Sequence, residues 1–174
     1  MSLDQRDWTK APALEGERLV LEPLRVGHAD EMAAVLDDPA LHRFIGGEPA
    51  TPVQLRTRYA SQVAGRSADG TERWLNWVAR TAASGTALGY VQATVTEQDA
   101  QLRADVAWVI AVPHQGHSYA REASTLMVDW LREQGVAVIT AHVHPDHDAS
   151  MSVARGLGLR PTDTVVDGEV RWQG

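Results

Sequence analysis

The chain has 174 residues, 44% of them hydrophobic and 22% charged, a formal net charge of -7 and no cysteine. This is the profile of one globular domain; the acidic balance argues against a nucleic-acid partner, and the missing thiols exclude disulfides, thiolate zinc sites and a cysteine nucleophile. No run approaches the roughly 18 apolar residues that span a bilayer and the N-terminus lacks an apolar signal core, so no membrane association and a cytoplasmic location are expected.

Residues 1–14 show no periodicity and read as an arm, with Trp8 either packed on a neighbour or exposed; residues 15–174 read as the domain. Residues 18–25 alternate as a strand with Leu19, Leu21 and Leu24 inward. Ala29, Met32, Ala33 and Leu36 then form the apolar stripe of a helix, which Asp37-Asp38-Pro39 stops. Residues 42–47 read as a loop or short turn. At Thr51-Pro52-Val53-Gln54 the signals for an N-cap, a first-turn proline and a capping-box partner announce a second helix, running to about Gly65.

From Arg73 the period changes to two, and residues 74–80, 87–96 and 104–112 are three strand candidates for an antiparallel meander. Ala120, Ala123, Met127, Trp130 and Leu131 form the clearest helical stripe, closed by Gly135. A strand over 136–143 follows, so the third meander strand and this one make a right-handed parallel crossover. A helix over about 148–157 and a hairpin over 164–172, turning at Asp167-Gly168, complete the chain. Trp74, Trp77 and Trp108 fall on strands, where packing is their ordinary role.

The residues between the third meander strand and the crossover helix, Val112-Pro113-His114-Gln115-Gly116-His117-Ser118-Tyr119-Ala120-Arg121-Glu122-Ala123, bear on chemistry. The first N–H groups of a helix lack internal partners and the macrodipole there is positive, so a loop of small residues at that point can receive a diphosphate. The loop resembles the Gln/Arg-x-x-Gly-x-Gly/Ala pattern of the GNAT N-acyltransferase superfamily, which cradles the pyrophosphate of acetyl-CoA; Gln115 and Ala120 match and Ser118 does not. The stretch Gln-Gly-His-Ser-Tyr-Ala-Arg-Glu-Ala is most similar to the ribosomal-protein-alanine acetyltransferase branch. The resemblance implies an α/β (α+β) fold. Its centre would be a mixed, mostly antiparallel sheet of about seven strands flanked by helices, with the parallel strand–helix–strand unit binding CoA. It also implies acetyl-CoA as co-substrate, a primary amine as acceptor, no metal, and a second copy of the chain as one open assembly state. Serine in place of glycine at 118 suggests ordinary helical backbone there, with a hydroxyl able to donate to phosphate.

By the same resemblance, Gln115, Gly116, His117, Ser118, Tyr119 and Ala120 hold the pyrophosphate. Backbone N–H groups at Ile110 and Val112, where the strand is expected to bulge, take the pantetheine amides and polarise the thioester. In His144-Pro145-Asp146-His147-Asp148-Ala149-Ser150, His147 stands where relatives carry an asparagine that holds pantetheine, and Ser150 lies near the sulfur. Ala154 replaces the tyrosine acid of many relatives, which leaves Ser150, or a water it positions, to protonate the thiolate. Asp105 stands where many relatives place a glutamate base, a role a solvated strand-end carboxylate need not have. His42, Phe44, Tyr59 and Trp74 fall where relatives build the acceptor pocket. His142, His144 and His147 invite a metal reading, but strand histidines commonly fill a half-buried face. The departures at Ser118, His147 and Ala154 leave open a non-catalytic acyl-CoA-binding sensor of the same fold.

Overall fold

A computed structural model describes Leu3, Trp8 and residues 10–174. The strands form one eight-stranded sheet in the order β1-β2-β3-β4-β5-β6-β8-β7. Its members are β1 (Leu14–Glu15), β2 (Leu19–Pro23), β3 (Glu72–Thr81), β4 (Ala87–Gln98), β5 (Gln101–Ile110), β6 (Val136–Val143), β7 (Arg160–Val166) and β8 (Glu169–Gln173). All neighbours pair antiparallel except β5 and β6, which are parallel and joined by helix α4 (Tyr119–Glu133). The element order expected from sequence is therefore present, with the two-residue β1 added at the edge.

The alternation of β3 to β5 sorts their side chains between two layers. Leu75, Trp77 and Ala79 with Val91, Ala93, Val95, Ala104 and Val106 form the main core against Met127 and Leu131 of α4, and Val153 and Ala154 of α5 (Asp148–Gly156) close it. On the other face, Val78 and Ala87 pack on α1 (Ala29–Val35) and α3 (Pro52–Gln62) through Met32, Leu55 and Tyr59. The period-two pattern was legible because the face under α4 is buried while alternate residues on the other face stay part-exposed over much of β3 to β5. Helix α3 starts with the predicted capping box: Gln54 N–H donates to Thr51 Oγ1 and Thr51 N–H to Gln54 Oε1. The 42–47 segment is more ordered than a loop, containing a single helical turn, α2 (His42–Ile45), which ends on Gly46 and Gly47, both at positive φ. Asp167 and Gly168, also at positive φ, make the predicted hairpin turn.

Trp8 is buried rather than exposed, edge-on to Trp130 at 5.9 Å, and Trp130 meets Trp77 in the same way. Trp77 Nε1 donates to the Pro12 carbonyl, so the segment before β1 is tied to the core.

One irregularity opens the sheet. Strands β5 and β6 pair only from Leu102↔Val136 to Asp105↔Thr140; beyond that β5 stays with β4 to Ile110 while β6 continues with β8 to Val143. The two parallel strands part like the arms of a V. Gly89 lets β4 and β5 stay close here: its φ is +155° and a Cβ on it would lie 2.0 Å from the Val109 carbonyl oxygen.

A candidate acetyl-CoA cleft

The V opens toward the N-termini of α4 and α5. Along its β5 arm the Ile110 carbonyl accepts from Gln115 Nε2 at 2.9 Å. In an extended strand the N–H and C=O of one residue point the same way, so the Ile110 N–H also faces the gap. Residues of the opposite parity face β4, as the bond from Ala111 N–H to the Leu88 carbonyl shows. The expected bulge is absent, since β4 and β5 keep continuous register to Ile110; divergence, rather than an extra residue, frees these N–H groups. The strand also stops at Ile110, so Val112 lies in a short turn, Val112–His114, instead of on β5.

The loop to α4 presents an array of donors. After Gln115, whose N–H donates to the Val112 carbonyl, the next backbone N–H to find a carbonyl is that of Glu122, which donates to Ser118. Among the described residues, no acceptor meets the backbone N–H groups of Gly116, His117, Ser118, Tyr119, Ala120 and Arg121. These donors lie at the positive end of a 15-residue helix, an arrangement suited to an anion. Gly116 has φ +82°, with nothing within 4 Å of an added Cβ.

Ser118 corrects the sequence reading. It has φ 63° and ψ 19°, the left-handed region, and its side chain makes no capping bond. The turn needs the conformation that glycine adopts freely, and serine occupies it under strain. Gln115 also differs from a phosphate ligand, because its side chain holds Ile110 and its own N–H donates to Val112, tying the loop to the strand end. Sequence reasoning missed Arg18. Its Nη2 donates to the His117 carbonyl, its Nε pairs with Glu122 at 2.7 Å, and its guanidinium lies over the Tyr119 ring. Arg18 thus fixes the loop from β2, over a sequence separation that no local motif spans.

At the other arm His147 caps α5, its Nδ1 accepting from Ser150 N–H at 3.3 Å. Burial, followed by the neighbouring His144, holds the His147 imidazole below its usual pKa, so the neutral acceptor form is favoured. Phe44 stacks on His147 with ring centroids 4.1 Å apart and lies 5.4 Å from His144.

Beside the V, on the α1/α3 face, is a pocket of about 340 Å³ lined by His42, Arg58, Tyr59, Asn76, Tyr90 and Gln92, among others. Burial pushes the Tyr59 phenol up to about 12 and raises that of Tyr90, so both stay neutral hydrogen-bonding groups. Both ring nitrogens of His42 lie against backbone carbonyls, of Gly46 and Leu36, which anchors it to the loop. Of the four residues expected here, His42 and Tyr59 line the pocket. Phe44 and Trp74 do not: Phe44 is turned toward His147, and Trp74 Nε1 is held by Glu72 further along β3.

Asp105 and Thr140 form the last pair before the strands part, and Thr140 Oγ1 donates to Asp105 Oδ1 at 2.9 Å. The same oxygen is 3.2 Å from His142 Nδ1. Among the described residues no group of three or more His, Cys, Asp or Glu has the arrangement of a metal site, and no helix is long and apolar enough to cross a membrane.

Comparison with known proteins agrees with this geometry. No curated protein sequence matches the chain. Among solved structures, a ribosomal L7/L12 alpha-N-protein acetyltransferase in complex with coenzyme A superposes with TM-score 0.75 at 13% identity, covering 94% of this chain and 97% of its own. The ribosomal-protein-S5-alanine acetyltransferase of Vibrio fischeri gives 0.74 at 16%, covering 94% and 96%. A spermidine N-acetyltransferase chimera from Vibrio cholerae and hSSAT gives 0.70 at 18%, covering 90% and 95%. At these identities the likeness is one of fold. The model of the acetyltransferase (GNAT) domain matches residues 18–160, most of the chain, and with the parted strands and donor-lined loop just described the protein belongs to the GNAT acetyltransferase family.

Proposed function

We propose that the protein transfers the acetyl group of acetyl-CoA to a primary amine, on a small molecule or a protein N-terminus, by direct attack within a ternary complex. The observation that carries this reading is the run of unbonded N–H groups from Gly116 to Arg121 beside the point where β5 and β6 part. The diphosphate sits on that run, with Gly116, His117, Ser118, Tyr119 and Ala120 contributing backbone and Gln115 holding the loop. The pantetheine arm lies in the V against Ile110, Val112 and His147, which brings the thioester toward the Asp105–Thr140 end. The 340 Å³ pocket on the opposite face receives the amine. Spermidine and a protein alpha-nitrogen, named for the neighbours above, are examples of such amines.

The amine reaches the site as an ammonium ion and loses a proton to the groups around Asp105. Its nitrogen then attacks the thioester carbonyl carbon, whose oxygen gains charge and is met by the strand N–H groups. The C–N bond forms, the C–S bond breaks, and the departing thiolate takes a proton from Ser150 or from a water it holds. Among the described residues no serine or threonine hydroxyl of the cleft donates to a histidine, which favours direct transfer over an acyl-enzyme. The protein acts without a metal, in the cytoplasm and away from membranes and nucleic acids, as a monomer or a homodimer.

The test is thiol release from acetyl-CoA over a panel of amines covering polyamines, amino acids and N-terminal peptides, beside calorimetric titration with acetyl-CoA. Amine-dependent release with tight binding is expected. No binding at millimolar acetyl-CoA would overturn the reading.

A further inference from the structure

We infer that His142 is the group that takes the ammonium proton, and that Asp105 is the positioning residue that fixes its ring. The inference rests on the acetyl-transfer reading above. It starts from strand parity. Residues 140 and 142 of β6 alternate onto the same sheet face, and Asp105 joins them there as the partner of Thr140. Thr140 is the last residue of β6 to pair with β5, so His142 stands two residues inside the V, on its inner edge. The face is the one that carries Asn76, Tyr90 and Gln92 of the acceptor pocket, by the registers Tyr90↔Val109, Gln92↔Ala107 and Thr94↔Asp105.

The carboxylate beside the ring biases its tautomer. Asp105 Oδ1 lies 3.2 Å from His142 Nδ1, and a carboxylate on that side of the ring favours the tautomer with the hydrogen on Nδ1, which leaves the lone pair of a neutral ring on Nε2. Nε2 has no hydrogen-bond partner among the described residues, and the side chain is 26% exposed, within reach of a ligand without being free in solvent. Asp105 is the more exposed of the two, at 51%, and its Oδ1 already accepts from Thr140. Imidazoles as a class are also stronger bases than carboxylates by roughly two pH units, which brings them closer to an ammonium acid. A carboxylate that orients a histidine and balances the imidazolium it becomes is the division of labour this geometry supports.

The charged surroundings of His142 comprise Asp105 on β5, Glu169 and Arg171 on β8, and His144 just beyond the end of β6. Arg171 is the direct β8 partner of His142, and its Nε is buried without an acceptor among the described residues. In the transfer, the ammonium gives one proton to His142 Nε2, which later passes to solvent. The second proton leaves the nitrogen after the C–N bond forms and passes through water to Ser150 or the water it holds, replacing the proton given to the thiolate as the C–S bond breaks.

Three variants test the assignment: Asp105→Asn, His142→Asn and the double variant. Asparagine at 142 can keep a donor toward Asp105 in the place of Nδ1–H while removing the base, so loss of fold is separated from loss of chemistry, and unchanged melting and acetyl-CoA affinity verify it. His142→Asn should lower kcat by about two to three orders of magnitude with little change in KM, and should remove the acidic limb of the kcat/KM profile. Asp105→Asn should cost about tenfold to a hundredfold and move that limb without removing it. The double variant should be no slower than His142→Asn alone, as for residues acting as a unit. Parental turnover in His142→Asn, a limb that survives it, or losses that multiply in the double variant would overturn the inference. Failure of the parent protein to acetylate any amine would refute the acetyl-transfer reading itself.

Discussion

Replacing Ser118 with glycine should stabilise the protein while leaving acetyl-CoA affinity intact. An L-residue in the left-handed region costs about 1–2 kcal/mol, and Ser118 sits there at φ 63° with no capping hydrogen bond to lose. Glycine relieves that cost but adds chain freedom to the unfolded state, worth about 0.4–1 kcal/mol. The difference is a gain of about 0.5–1 kcal/mol, or about 2 °C in melting temperature for a domain of this size. Gly116→Val is the counterpart. At φ +82° with no protein atom near an added Cβ, it suffers backbone strain without a clash, and should melt roughly 4–8 °C lower yet fold. Its branched side chain would project among the donors, so acetyl-CoA binding should be lost. Scanning calorimetry and acetyl-CoA titration of both variants read out each effect. A lowered melting point in Ser118→Gly would refute the strain argument, affinity reduced by about tenfold would mean that the hydroxyl itself binds phosphate, and parental binding by Gly116→Val would place the diphosphate elsewhere.

Gly89→Ala should be severely destabilised, by about 3 kcal/mol or more, because its Cβ would meet the Val109 carbonyl oxygen at 2.0 Å and part the strands beside the cleft; a near-parental urea midpoint would contradict this. Arg80 binds Glu31 with both terminal nitrogens and Glu22 through Nε. The Arg80 hydrogen bond, against some burial, lowers the Glu31 carboxyl below its usual 4.5, so that stability is present above this value and lost as pH falls through the folded-state value. Arg80→Gln should therefore raise the midpoint of acid unfolding. Burial raises the Glu169 carboxyl despite His142 and His144, so its ionised form costs stability as pH climbs past the unfolded-state value. Glu169→Gln should melt higher than the parent near pH 7 and equally near pH 3, and the opposite order would refute the burial argument.

Wherever two faces of an element meet unlike surroundings, the sequence carries the fold plainly. The alternation of β3 to β5, the Thr51–Gln54 box and the Asp167-Gly168 turn are local patterns with local causes. The site was legible as a loop but not as a constellation. Ser118 was misread because serine is compatible with both a helical start and a strained left-handed turn, and only the glycine common at this point of the family pattern signals the turn. Phe44 was displaced because a helical turn followed by two positive-φ glycines redirects the segment toward His147, and no periodicity records that direction. Arg18 and Glu122 meet across 104 positions. His142 meets Asp105 only because one parallel pairing sets the register of β6 on β5, which the sequence of either strand does not specify.

Trp8, Trp130 and Trp77 stand edge to face in succession, at interplanar angles of 81° and 78°. Indoles held at fixed skew couple their electronic transitions, so the trio should give the protein a strong dichroic signal in the near ultraviolet. Because one chromophore comes from the start of the chain and the others from β3 and α4, that signal is an intrinsic gauge of whether the N-terminal segment is docked. Trp8→Phe should dim the signal while the far-ultraviolet spectrum of the sheet and helices stays as it was.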